Sequence, residues 1–101
     1  FNELCKTSRS QTDYLEVARL FSTVIITDIE QMGHSTDDIA KRFILLIDVL
    51  YDHHVILICT AAVAVDRLYQ GRRLSFEFER TMSRLIDMQS EQYLTQAHTF
   101  Q

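Results

Sequence analysis

Two short runs in this chain are apolar or β-branched at every position, Thr23-Val24-Ile25-Ile26-Thr27 and Val55-Ile56-Leu57-Ile58-Cys59. β-Branched residues favour the pleated surface, and a run without polar alternation predicts a strand covered on both faces. Between the runs the period changes. Ile39, Phe43, Ile47 and Leu50 recur at helical spacing, and Ile44, Leu46 and Val49 widen the stripe. This predicts a helix from Ser35 or Thr36 to Asp52, heavily buried against a sheet. Ser35 or Thr36 serves as the cap, with Asp37 and Asp38 in the first turn and His53 and His54 at the C-terminal end. Asp37–Lys41 and Asp38–Arg42 have the spacing and order of favourable ion pairs. Strand, helix and strand over 23–59 form a βαβ unit, whose strands are expected to be parallel. The first strand is expected to end at Asp28.

Flanking this unit, Tyr14, Leu15, Ala18 and Phe21 predict a short helix from Asp13 to Leu20, started by a capping box of Asp13 and Glu16. Lys6 to Ser10 reads as a loop. A helical turn near 65–69 precedes Gly71. Leu74, Phe76 and Phe78 alternate with polar residues and predict an extended segment over 73–77. Met82, Leu85 and Gln89 then predict a helix from Glu79 to Gln92. The polar end, 95–101, is set apart as a tail.

At 101 residues, with 47% hydrophobic and 24% charged residues, the chain is one domain or part of one, and its composition is globular. A net charge of −4 argues against a nucleic-acid partner, which needs clustered Lys and Arg. No apolar run reaches the roughly 18–20 residues of a membrane span. Cys5 and Cys59 cannot build a disulfide framework, which fits a reducing, cytoplasmic compartment, and Cys59 reads as a buried thiol in a strand. The chain has no proline, two glycines and no initiator Met, which together read as a segment of a longer protein.

Four groups of residues invite a chemical reading. Asp28 closes a buried strand at the edge where open α/β sheets place ligand groups, and resembles the Mg²⁺-holding acid of phosphate-loop NTPases, although many strands end in Asp simply to begin a turn. Arg80 and Arg84 lie four apart on the last helix. They suit phosphate recognition or an arginine finger, and equally a solvated face pairing with Glu77, Glu79 and Asp87. His34, His53, His54, His98 and the two cysteines lack metal-ligand spacing, so no metal site is expected. Asp48 interrupts the helix stripe, at its rim or paired with an Arg. Neither G-x-x-x-x-G-K-[ST] nor G-x-G-x-x-G occurs, so the segment has no phosphate-cradling loop and no nucleotide is expected to bind it alone.

Longer stretches resemble a family. Asp13-Tyr14-Leu15, Phe21-Ser22-Thr23-Val24 and the run from Ala40 to Asp52 look like the C-terminal region of ZapE-type AAA ATPases, the bacterial cell-division ATPase and its mitochondrial relatives. Leu68-Tyr69-Gln70-Gly71, Phe76-Glu77-Phe78-Glu79-Arg80-Thr81 and the stretch from Ser83 to Leu94 agree. The similarity runs from Phe1 to Leu94, and His53-His54-Val55 looks most like the gammaproteobacterial branch. Three places depart. Thr60-Ala61-Ala62 stands where the family usually has Ser-Ala-Glu, Ala64 where it often has proline, and the loop after Asp28 lacks the family's usual Val-Pro.

The resemblance implies an α/β fold: a parallel, βαβ-containing segment of a P-loop NTPase-like (AAA) domain, three-layered and incomplete without an upstream half. Residues 1–94 would be the C-terminal segment of the ATPase. The parent would hydrolyse ATP with Mg²⁺ as a homo-oligomer, tied to the division ring of the tubulin-like protein FtsZ, in the cytoplasm near the inner membrane. Arg84, with Arg80, would make an arginine-finger-like or sensor-like contact, and Asp28 would lie on the nucleotide side. Two alternatives stay open: a non-catalytic α/β interaction module, and an enzyme using Asp28 or Cys59 directly.

Overall fold

The computed structural model describes residues 5–6 and 10–89. Helix α1 (Gln11–Leu20) leads into strand β1 (Thr23–Ile29). A single helical turn at His34–Thr36 opens helix α2 (Asp37–Asp52), which is followed by β2 (Ile56–Ala61), a turn at Val65–Arg67 and helix α3 (Ser75–Asp87). The two strands are parallel, from Thr23 opposite Ile56 to Ile26 opposite Cys59, as the βαβ reading expects. Helix α2 is the hub of the helical layer and packs against both α1 and α3. Its Phe43, Leu46, Ile47 and Leu50 are wholly buried, together with Ile26 and Ile29 of β1 and Phe78 of α3.

Several expectations need correction. The cap of α1 is Ser10, whose backbone N–H donates to the Asp13 carboxylate at 2.9 Å. Asp13 is therefore the acid in the third position of the helix, and the start moves upstream of the Asp13–Glu16 reading. Strand β1 does not end at Asp28. The ladder shifts between Ile26 and Ile29, Asp28 adopts a positive φ of 58°, and pairing resumes with Ile29 opposite Ala61. The Asp28 N–H reaches across to the Thr60 hydroxyl at 2.9 Å, so a side chain takes up the donor that the irregular ladder leaves over.

Nor are the strands covered on both faces. Val24, Ile26 and Ile29 enter the core, but Ile25 is 65% exposed and its register partner Ile58 is 53% exposed. The described residues form two layers, a sheet with helices on one face. Cys59, expected to be buried, is exposed near the end of β2, while Cys5 is buried.

Helix α3 starts four residues earlier than expected, and the segment 73–77 is not extended. Leu74 caps it, accepting the Phe78 N–H at 2.8 Å. Leu74, Phe78, Thr81, Leu85 and Met88 are buried at spacings of four and three, whereas Phe76 is 81% exposed. Leu74-x-Phe76-x-Phe78 mimics strand alternation only because Leu74 and Phe78 are helical i,i+4 neighbours. The helix also ends earlier than the expected Gln92: it stops at Asp87 with Met88 as its cap, and the Gln89 N–H turns to the Ile86 carbonyl at 3.1 Å, a tighter bond that closes the last turn. The tail 95–101 and most of the loop before Ser10 lie outside the described residues.

Candidate functional site

Helices α2 and α3 bring five polar residues together beside the apolar seam. Asp48 and Tyr51 are three apart on α2; Arg80, Arg84 and Asp87 follow at i, i+4 and i+7 on α3. Each helix therefore presents its members along one stripe. Asp48 Oδ1 accepts from Arg84 Nη1, and Asp48 Oδ2 lies 3.4 Å from Arg80 Nη2. The Arg84 guanidinium also sits over the Tyr51 ring, 5.0 Å from its centroid. Tyr51 donates its hydroxyl proton to Asp87 at 2.6 Å. That hydrogen bond to a carboxylate is the main reason the Tyr51 phenol is held above its ordinary pKa.

The expectation that Asp48 sits at the helix rim or meets an Arg is borne out. The partners expected for Arg80 and Arg84 are corrected: Asp48 of α2 holds both. One carboxylate between two guanidinium groups leaves the trio one positive charge. Arg84 engages Asp48 through Nη1, leaving Nε and Nη2 as donors with no partner among the described residues. Its side chain is 25% exposed, against 58% for Arg80. Such an arginine is anchored at one edge and open at another, which suits recognition of a phosphate or carboxylate. Beside it a groove of about 360 Å³, lined by Lys41, Ile44, Leu45, Asp48, Leu74 and Glu77, runs between the helices.

Asp28 belongs to the opposite end of the fold. Parallel strands force the connecting helix to run back, so the first turn of α2 lies beside the C-terminal end of β1. The contacts there agree. Met32, just past β1, bridges to Tyr69. The Tyr69 hydroxyl donates to Asp37 at 2.7 Å and accepts the Leu74 N–H at 3.0 Å. From Asp37 to Asp48 is about 16 Å along the helix axis at 1.5 Å per residue. The structure brings Arg80 and Arg84 together and leaves Asp28 far from both. Among the described residues no group of three or more His, Cys, Asp or Glu side chains converges. Asp28 belongs to no such group, and these residues do not fit a Mg²⁺ site by themselves.

Sequence reasoning missed Tyr51 in the arginine network, and Tyr69 as the tie between α2 and the start of α3; Asp87, expected as an arginine partner, takes the Tyr51 hydroxyl instead. The signal for Tyr51 was present: it lies one turn beyond Asp48, a residue already marked. Asp38–Arg42 pairs at 3.4 Å as expected, and Asp37 is used by Tyr69. Arg42 Nε also donates to the Cys5 carbonyl at 2.6 Å. Burial pushes the Cys5 thiol up to about 11, and it raises the Cys59 thiol as well. A thiol shifted upward is a poor nucleophile at neutral pH, so neither cysteine is prepared for catalysis.

The model of the AFG1-like ATPase family matches residues 1–97. Cell division protein ZapE of Escherichia coli K12 is 47% identical over 98 residues, covering 97% of this chain and 26% of that protein. Lactation elevated protein 1 homolog B of Danio rerio is 33% identical over 125 positions, covering 92% of this chain and 25% of that protein. An uncharacterized protein of Schizosaccharomyces pombe is 38% identical over 69 residues, covering 68% of this chain and 15% of that protein. The chain thus spans about a quarter of the length of the first of these relatives. No solved structure matches.

Proposed function

Because the chain belongs to the AFG1-like ATPase family, we propose that it is the C-terminal part of an ATP-hydrolysing, AAA-type cell division protein. The observation that carries this reading is the near-complete alignment with a cell division protein at 47% identity. The missing phosphate loop and the lack of a converging carboxylate cluster among the described residues support a division of labour. An upstream half of the same polypeptide supplies the grip on ATP and Mg²⁺. This segment completes the sheet, and the open face at Ile25 and Ile58 receives the third layer. The parent works as a homo-oligomer at the FtsZ division ring, on the cytoplasmic side of the inner membrane.

Arg84 is the residue assigned to the nucleotide, with Arg80 in support, and the geometry favours action across a subunit boundary. In open α/β sheets the ligand lies beyond the carboxyl ends of the strands. Asp48, which holds Arg84, lies about 16 Å along α2 from the first turn of that helix, the turn that sits beside that end. A guanidinium there meets the phosphates of a neighbouring copy, where it stabilises charge that develops in the transition state. Asp28, at the carboxyl end of β1, faces the nucleotide of its own subunit. The open apolar sheet face also supports the second reading, a non-catalytic interaction module. Steady-state ATP hydrolysis by the full-length protein separates the two. The ATPase reading expects turnover that Arg84→Ala lowers at least ~10-fold, with the melting transition intact. Full-length protein that neither binds nor hydrolyses ATP would leave the module.

A further inference from the structure

Arg84 is the assigned nucleotide contact, but the side chain that decides where its guanidinium points is Asp48. An arginine on the surface of a helix samples many rotamers, and ordering it costs side-chain entropy. Here three contacts remove that freedom. Asp48 takes Nη1, the Tyr51 ring lies beneath the guanidinium plane at 5.0 Å, and Asp87 fixes the Tyr51 hydroxyl at 2.6 Å. Asp48 is only 22% exposed, so its charge is partly shielded from solvent. All three supports come from the two helices that make the core seam, which places the arginine on a rigid frame rather than a loop.

We propose that Asp48 is the positioning residue for Arg84: it grips one nitrogen of the guanidinium and so presents Nε and Nη2 to the phosphate of an adjoining subunit. Tyr51 acts as the platform, and Asp87 acts through Tyr51. The proposal rests on the arginine reading given above and adds to it the element that orients the arginine. It also explains why an acid interrupts the apolar stripe of α2 where a leucine would pack. Misplacement by about 1 Å costs on the order of 10²-fold in a reaction that depends on alignment. Losing the grip is therefore expected to show in turnover well before it shows in stability.

The test uses the full-length protein and a double-mutant cycle. Asp48→Asn keeps the shape and removes the charge. It is expected to lower kcat for ATP about 10-fold or more while KM changes less than about two-fold. Added to Arg84→Ala, it should lower kcat no further, because a residue that acts through Arg84 has nothing left to orient. A readout independent of turnover is the rise in melting temperature caused by ADP with aluminium fluoride, a mimic of the transferring phosphate. Asp48→Asn and Arg84→Ala should reduce that rise alike. Wild-type kcat in Asp48→Asn, or an equal loss with and without Arg84, overturns the proposal. If Asp48→Asn does not fold, Asp48→Glu decides. It retains the ion pair but displaces the guanidinium by one methylene, and should melt like the wild type while turning over more slowly; a folded Asp48→Glu with wild-type kcat overturns the proposal. An Arg84→Ala protein with normal turnover ends the arginine reading and this proposal together. Slow Arg84→Ala with normal Asp48→Asn ends this proposal alone.

Discussion

Replacing Phe43 by Ala removes the centre of the core. Phe43 is wholly buried on α2 and stacks on Phe78 of α3, with ring centroids 5.9 Å apart and planes 16° from parallel. Phe78 in turn stacks on Tyr69 at 5.3 Å, so one ring column ties α2 to α3 and to the segment before it. Truncating a buried Phe costs about 3–5 kcal/mol through lost burial and the cavity left behind. The ring pair accounts for about 0.5–1.5 kcal/mol beyond area burial. We expect the loss to fall in the upper half of that range. With a urea m-value of about 1.5 kcal/mol/M, it lowers the unfolding midpoint by roughly 3 M. Phe76→Ala is the matched control, because Phe76 is 81% exposed, and should change stability by less than about 0.5 kcal/mol. Equilibrium urea titration followed by circular dichroism reads both. A loss below about 1 kcal/mol for Phe43→Ala, or equal losses for the two variants, would refute the packing described.

Gly71→Ala places a Cβ 2.6 Å from Tyr69 Cζ. The ring must shift and strain its hydrogen bonds to Asp37 and Leu74, which should destabilise by about 1–3 kcal/mol; an unchanged thermal midpoint would contradict this. Burial raises the Cys5 thiol from an ordinary 9.0 to about 11, so the folded state holds a proton that the unfolded chain releases. Stability is then fully present below pH 9 and falls by as much as about 2–3 kcal/mol as pH rises to 11. The raised phenols of Tyr51 and Tyr69 act in the same direction. Urea midpoints measured across that range should fall, and fall less in Cys5→Ala. Native thiol titration should find Cys59 reacting first, since it is exposed and Cys5 is buried.

The central βαβ unit was legible because its signals do not compete. β-Branched runs and a wide helical stripe each extend long enough to fix the period, and the parallel pairing of Thr23 to Ile26 with Ile56 to Cys59 follows from the connection. The start of α3 was not legible from its first residues, because a three-member alternation also satisfies an i,i+4 pair. Only the continuation through Thr81 and Leu85 distinguishes them. The exposure of Ile25, Ile58 and Cys59 escaped the sequence for another reason: an apolar run records a need for cover but not which part of a polypeptide provides it. Asp28 looked like a strand terminator, and only the Thr60 hydroxyl, 32 residues away, explains why the ladder continues past it. Within the site, Asp48 and Arg84 were visible as a charge in an apolar stripe and an arginine beside a core leucine. Their meeting depends on how two helices cross, which side-chain spacing on either one does not encode.

The proposed role of Arg84 requires a guanidinium held away from its own strand ends and directed to a neighbour. Mixing two inactive full-length variants tests that claim most directly. One carries Arg84→Ala and keeps an intact nucleotide grip; the other keeps Arg84 and carries a disabled phosphate-binding lysine in the upstream half. Each alone should hydrolyse ATP at least ~10-fold more slowly than the wild type. Mixed and allowed to assemble, they juxtapose an intact Arg84 with an intact nucleotide site at some boundaries, and turnover should reappear. Mixed assemblies that form, as shown by co-purification of differently tagged subunits, yet stay as inactive as their components would contradict the account.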